Sequence, residues 1–276
     1  MLEFLIPNNI VCHAVEAMIF ASVSCSILGV IIARMNISSV GFTMSHAAFA
    51  GAAIGLFMGL DSIAVAIIFS LGVAALLGPL SEKSKMSADT TLGVLFAMSM
   101  AIAVFFISYM QYSGKGISAG GLLFGDLISL YREEIYLLGL ISLLTVVFIG
   151  LFYKEILSLM FHMKIAEASG IRTKLVYYAI LFIIAVSVAL SINIVGGLII
   201  YVWLVVPAAI AYQFCFNVRS MFIVAPLVAL AVSIPGVFAG FHYNLPIGPL
   251  VGMAFTFVFA LSVLLSTKRR VTSNKN

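Results

Sequence analysis

The sequence predicts an all-α fold, a polytopic transmembrane bundle of eight to nine spans that includes a short or broken helix. Three observations predict it. The chain of 276 residues is 63% hydrophobic and only 9% charged, whereas a soluble domain is about 45–50% apolar and roughly 25% charged. Its mean hydropathy is +1.23. Apolar runs recur along its whole length, and about 20 apolar residues suffice to cross a bilayer as a helix. So few charges cannot cover a water-facing surface. Soluble-enzyme, disordered and nucleic-acid-binding classes are therefore excluded.

The runs fall at about 11–33, 45–60, 62–80, 91–110, 134–153, 175–193, 195–214, 221–241 and 247–266. The first follows Glu3, has no basic residue before Arg34, and is too long for a cleaved signal, so it reads as a retained span. The 45–60 run is short and Gly-rich. The 195–214 run opens on Gly196-Gly197 and contains Pro207. Either suits a half-helix, which membrane depth tolerates only where protein or a water-filled cavity satisfies the backbone. The longest connections, about 111–133 and 154–174, are too short to hold a folded soluble domain, so residues 1–276 form one transmembrane domain.

The net charge of +4 reports orientation rather than nucleic acid, because Lys and Arg mark cytoplasmic loops. The segments carrying Arg34, Lys83, Lys85, the 154–174 stretch, Arg219 and the tail from Lys268 hold twelve of the 14 basic residues. If they share one side, the C-terminus is cytoplasmic. Cys12, Cys25 and Cys215 have no C-x-x-C spacing and imply neither a disulfide framework nor a zinc knuckle.

Within the second run, Thr43, Ala47, Gly51, Gly55 and Gly59 recur every fourth residue. Such small-residue stripes let helix backbones approach closely in lipid, so helix packing is expected there, beside a translocation path or not. His46, next to Ser45, is an ionisable residue at membrane depth, which is costly and by default a functional candidate; an imidazole also suits first-row metals, and a capping or packing histidine is equally open. Cys12, His13 and Glu16 lie near the start of the first run at i,i+3 and i,i+4 spacings. Zinc ligation and plain interfacial packing are both open to them, with Glu16 the deepest of the three. Asn193 precedes Val195-Gly196-Gly197, where a break at membrane depth and an ordinary hairpin outside it would look alike. The four histidines, at 13, 46, 162 and 242, show no H-E-x-x-H spacing, and no Gly-rich phosphate loop exists. Catalytic residues are not expected, and nucleotide-driven transport would need its ATPase on another chain.

At Gly41-Phe42-Thr43-Met44-Ser45-His46-Ala47, followed by Gly51 and Gly55, the chain resembles the membrane permease subunit of ABC-type zinc, manganese and iron importers. That family has Gly-Asp-x-x-Ser-His-Ala here. Further similar elements follow in family order: Asp89 with Leu92-Gly93 and Phe96; Leu123-Phe124-Gly125-Asp126; Ala166, Ala168 and Gly170-Ile171; Val195-Gly196 through Pro207-Ala208-Ala209; and Leu245-Pro246 with Gly248-Pro249. The resemblance covers nearly the whole chain. It implies a permease dimer in a bacterial or archaeal cytoplasmic membrane, cytoplasmic ATP-binding cassette subunits, an extracytoplasmic metal-binding protein and a transported divalent metal ion. No cofactor is held permanently; ATP belongs to the partner. A cytoplasmic element docking in the ATPase is expected around Gln213, Asn217, Arg219 and Ser220, assisted by the loop with Glu167 and Gly170.

The departures bear on cargo. The family's Asp, one turn before the His, is Phe42; its Gln before Val-Gly is Asn193; its Asp before Leu-Pro is Asn244; and its loop Asp-Pro is His162-Met163. Glu16, with His46 and Asn193, is expected to restore part of the missing site. The resemblance leaves a metal-chelate permease (siderophore or corrin) as the alternative cargo class, and an ATP-independent membrane transporter as the alternative from another class.

Overall fold

The computed structural model describes residues 10–113, 125, 131–197 and 199–266, with Asn193 described by its backbone only. Eleven α-helices lie among the described residues. Eight are long and apolar enough to span: α1 (Ile10–Arg34), α2 (Ser38–Met58), α3 (Ser62–Ser84), α4 (Ala88–Tyr112), α5 (Arg132–Leu151), α8 (Thr173–Val195), α10 (Val218–Tyr243) and α11 (Ile247–Leu264). Between α5 and α8 run the short α6 (Tyr153–Phe161) and α7 (Met163–Ala168); α9 (Ile200–Phe214) lies between α8 and α10.

Helices α1, α2 and α8 make the core. Their spans are 72%, 78% and 61% buried, against 28–33% for the other five. Around them, α3 and α4 pack on α2, while α5, α9 and α10 pack on α1, and α3 also packs on α8. Small residues allow this. A Cβ on Gly51 would fall 2.7 Å from the Ala66 Cα, and one on Gly55 would fall 2.8 Å from the Ser62 Cα, so the stripe of α2 is closed against α3. Ala47 is fully buried in the same helix, and Thr43 Oγ1 donates to the Leu92 carbonyl of α4 at 3.1 Å. Gly59 does not extend the stripe. It caps α2 at φ 70° with open space where a Cβ would sit, and its amide closes on the Leu56 carbonyl.

Apolar surroundings oblige each hydroxyl to find a partner. Ser24 and Ser26 of α1 return theirs to the Phe20 and Val23 carbonyls. Ser22 instead donates across to Ser233 of α10 at 3.1 Å, and Ser233 also accepts from the Trp203 indole of α9 at 3.0 Å. This three-helix junction is fully buried.

The 45–60 run, expected short, belongs to a full 21-residue helix because α2 begins at Ser38. The 195–214 run does form a short helix. α9 has 15 residues, about 22 Å, against a hydrocarbon core of about 30 Å. The break before it is internal: Gly196 has φ 90°, and a Cβ on Gly197 would fall 2.7 Å from the Phe49 ring. Phe49 lies nine residues before the end of α2, so the break sits about 14 Å in from that end. Of the two readings of Val195-Gly196-Gly197, the structure has the buried break.

Eight of the nine described Lys and Arg residues gather at one end of the bundle, hereafter the basic face. Lys174 at the start of α8 pairs with Glu82 near the end of α3 at 3.2 Å. Arg34, ending α1, lies over Tyr212 near the end of α9, and Arg219 of α10 lies 5.6 Å over the Tyr153 ring of α6. Arg132 alone of the nine begins its helix, α5, at the opposite face. Lys115 and the tail from Lys268 lie outside the described residues.

Candidate functional site

His46 stands two turns into α2 and is 5% exposed. Its ring packs edge-on against Phe42, one turn earlier on α2, at 4.7 Å, and against Phe96 of α4 at 4.8 Å. Phe42 also contacts Phe96 at 4.4 Å and Tyr201 of α9 at 5.3 Å. Three helices thus build the group: Phe42 and Phe96 meet the imidazole, and Tyr201 packs behind Phe42. Two arrive by simple rules. Phe42 follows from i,i+4 spacing, and Phe96 faces α2 because α4 docks on it. Tyr201 arrives only because α9 starts at membrane depth, one residue after its first. Phe42 remains 37% exposed and forms the outer lid of the group.

The polar atoms here are few. His46 Nδ1 is buried without a hydrogen-bond partner, and an orphaned buried nitrogen is the kind of group that calls for an explanation. Ser45 does not supply a partner, since its hydroxyl donates to the Gly41 carbonyl at 2.7 Å. A neutral imidazole with an unused lone pair can ligate a first-row metal.

Glu16 and His13 are not gathered around it. Glu16 is exposed on α1. Measured from the α1–α2 turn, it lies 18 residues up one helix while His46 lies eight residues up the other, an offset of about 15 Å along the axes. Of Cys12, His13 and Glu16 it stands furthest along α1. His13 accepts from the Arg132 Nε at 3.3 Å, and a guanidinium beside an imidazole opposes a metal cation there. The side chain of Asn193 lies outside the described residues. Among the described residues no three of His, Cys, Asp and Glu converge on a point that could hold a metal ion.

At the basic face, the expected ATPase-contact residues fall in two places. Gln213, Asn217, Arg219 and Ser220 flank the turn from α9 to α10, with Asn217 just before the first residue of α10. Glu167 and Gly170 end α7; both are exposed, and Gly170 stops the helix at φ 83°. Arg219 meets Tyr153 at the start of α6, whose far end leads into α7. Leu123, Phe124 and Asp126 of the motif near Gly125 lie outside the described residues.

A family model described as the ABC 3 transport family matches residues 8–266. The chain belongs to that family. It is 24% identical to the manganese transport system membrane protein MntC of Listeria monocytogenes, over 99% of this chain and 97% of the relative. It is 26% identical to the high-affinity zinc uptake system membrane protein ZnuB of Haemophilus influenzae, over 86% and 90%. The solved structure of PsaBC from Streptococcus pneumoniae in complex with Fab has the same fold, with a TM-score of 0.86 at 23% identity, covering 100% of this chain and 98% of that one. As an ABC 3 family member with eight spanning helices, the chain is a multi-pass membrane transport subunit rather than an enzyme.

Proposed function

We propose that this chain is the membrane-spanning permease of an ATP-driven importer for a divalent transition metal ion, working by alternating access at the interface of two permease copies. The observation that carries the cargo class is near full-length similarity to permeases named for manganese and for zinc. ATP hydrolysis falls to separate cassette subunits, which dock on the surface formed by α7 and the α9–α10 turn. An extracytoplasmic binding protein delivers the metal at the opposite face. The clustering of basic residues supports a cytoplasmic basic face, and with it a cytoplasmic C-terminus.

His46 is the ligand this reading relies on. Glu16 and His13, near the opposite face, stand apart from that site. The donor chemistry favours zinc over manganese: imidazole suits zinc, whereas manganese prefers carboxylate and water, and Phe42 stands where the family has a carboxylate. The manganese reading rests on the names of the relatives. A site of one imidazole holds its ion weakly, which suits conduction because the ion must leave again. The test is ATP-driven uptake by the chain reconstituted with its ATPase and binding protein, offered zinc, manganese and iron, free and chelated. The expected result is saturable uptake of free zinc, reduced at least tenfold by His46→Ala. Uptake of the chelated metal alone, or uptake insensitive to that substitution, refutes the proposal.

A further inference from the structure

We infer that the basic face carries a binding site for one anionic phospholipid, in a groove between α5 and α10. Both helices pack on α1 but not comparably on one another, which leaves a cavity of about 770 Å³ with Ile27 of α1 at its floor. Its walls are apolar: Val146 and Ile149 from α5, Phe222 from α10. A bilayer-facing groove of this kind takes an acyl chain, because no polar group within it competes for water.

The rim selects the headgroup. Lys154, Glu155 and Arg219 line the mouth. Neither cation has an ion pair among the described residues; the Arg219 guanidinium lies over the Tyr153 ring. Two cations and one carboxylate leave the mouth at +1, complementary to the single negative charge of a phosphodiester. The start of α10 adds to this, since no side chain caps its first amides and a helix N-terminus favours anions. Tyr153 sits at the level where aromatic side chains meet headgroups. Basic pockets between spanning helices are a known mode of anionic lipid recognition. This assignment does not rest on the cargo proposed above, because no residue of the groove belongs to the His46 group; it shares Arg219 with the expected ATPase-contact residues, and so concerns the permease before the ATPase docks.

The test is native mass spectrometry of the full-length permease from mixed phosphatidylglycerol and phosphatidylcholine nanodiscs. One phosphatidylglycerol is expected to be retained per chain. Lys154→Gln with Arg219→Gln should weaken that retention by about fivefold per cation and roughly 30-fold together, with Trp203 emission unchanged. Val146→Trp, which fills the groove without touching charge, should also lose the lipid. Lys83→Gln with Lys85→Gln, an equal charge change on the same face, should not. Equal retention of the two lipids, or equal loss in the Lys83/Lys85 control, would overturn the assignment.

Discussion

Ser233→Ala tests the junction that holds the short helix α9 in place. Ser233 Oγ accepts from Trp203 Nε1 at 3.0 Å and from Ser22 Oγ at 3.1 Å, and all three residues are fully buried. The substitution removes one acceptor from two donors. Ser22 can turn to a carbonyl of its own helix, as Ser24 does; the indole N–H has no such recourse. A buried donor left unpaired costs about 1–3 kcal/mol. Interhelical hydrogen bonds in a bilayer protein average only about 0.6 kcal/mol, because the unfolded state in the membrane also finds partners. Ser233→Ala should therefore destabilise by about 1–2 kcal/mol, with the indole supplying most of it, and Ser22→Ala by roughly 0.5 kcal/mol. The protein has a single Trp, so unfolding in sodium dodecyl sulfate followed by its emission reads this junction directly. The double variant should be no less stable than Ser233→Ala alone, since the shared acceptor is already gone. Equal effects of the two single variants, or a neutral Ser233→Ala, would refute the reasoning.

Three further predictions concern packing, backbone conformation and access. Gly51→Ala places a Cβ against the Ala66 Cα, the Val65 carbonyl and Phe69, and overpacking of this kind costs about 1–3 kcal/mol; the same denaturation assay should show it. Gly59→Ala should cost about 1–2 kcal/mol for a different reason, its left-handed backbone, and restoring stability with Gly59→Asn would separate the two causes. Phe42→Ala removes the outer lid of the aromatic group, so His46 should be carbethoxylated several-fold faster by diethylpyrocarbonate, read by peptide mass spectrometry; an unchanged rate would mean that Phe42 does not shield it.

Much of the fold was legible because membrane helices are constrained one at a time. Each backbone polar group must be satisfied within its own segment, so apolar run lengths placed the spans, while the choice of 195–214 over 45–60 as the short helix, and of a buried break over a hairpin, came from the structure. The stripe of α2 was legible for a similar reason, since i,i+4 spacing defines a face before any partner is known; its last member was not, because Gly59 differs from Gly55 only in lying past the helix end. The site was half legible. His46 stood out as an ionisable residue in an apolar run, but its companions did not, because Phe96 and Tyr201 lie on other helices and aromatic residues are common in such runs.

By itself, the sequence determined the class of the protein, the places of its apolar runs and the grouping of its cations, and it bounded the spans at eight to nine; all of these follow from local hydropathy and charge. Only the tertiary structure decided what His46 meets and how far Glu16 stands from it. Those depend on the depth at which α9 begins and the axial offset between α1 and α2. Depth and offset are set by contacts between helices distant in sequence, where close packing of small residues, rather than any pattern along one helix, determines the register.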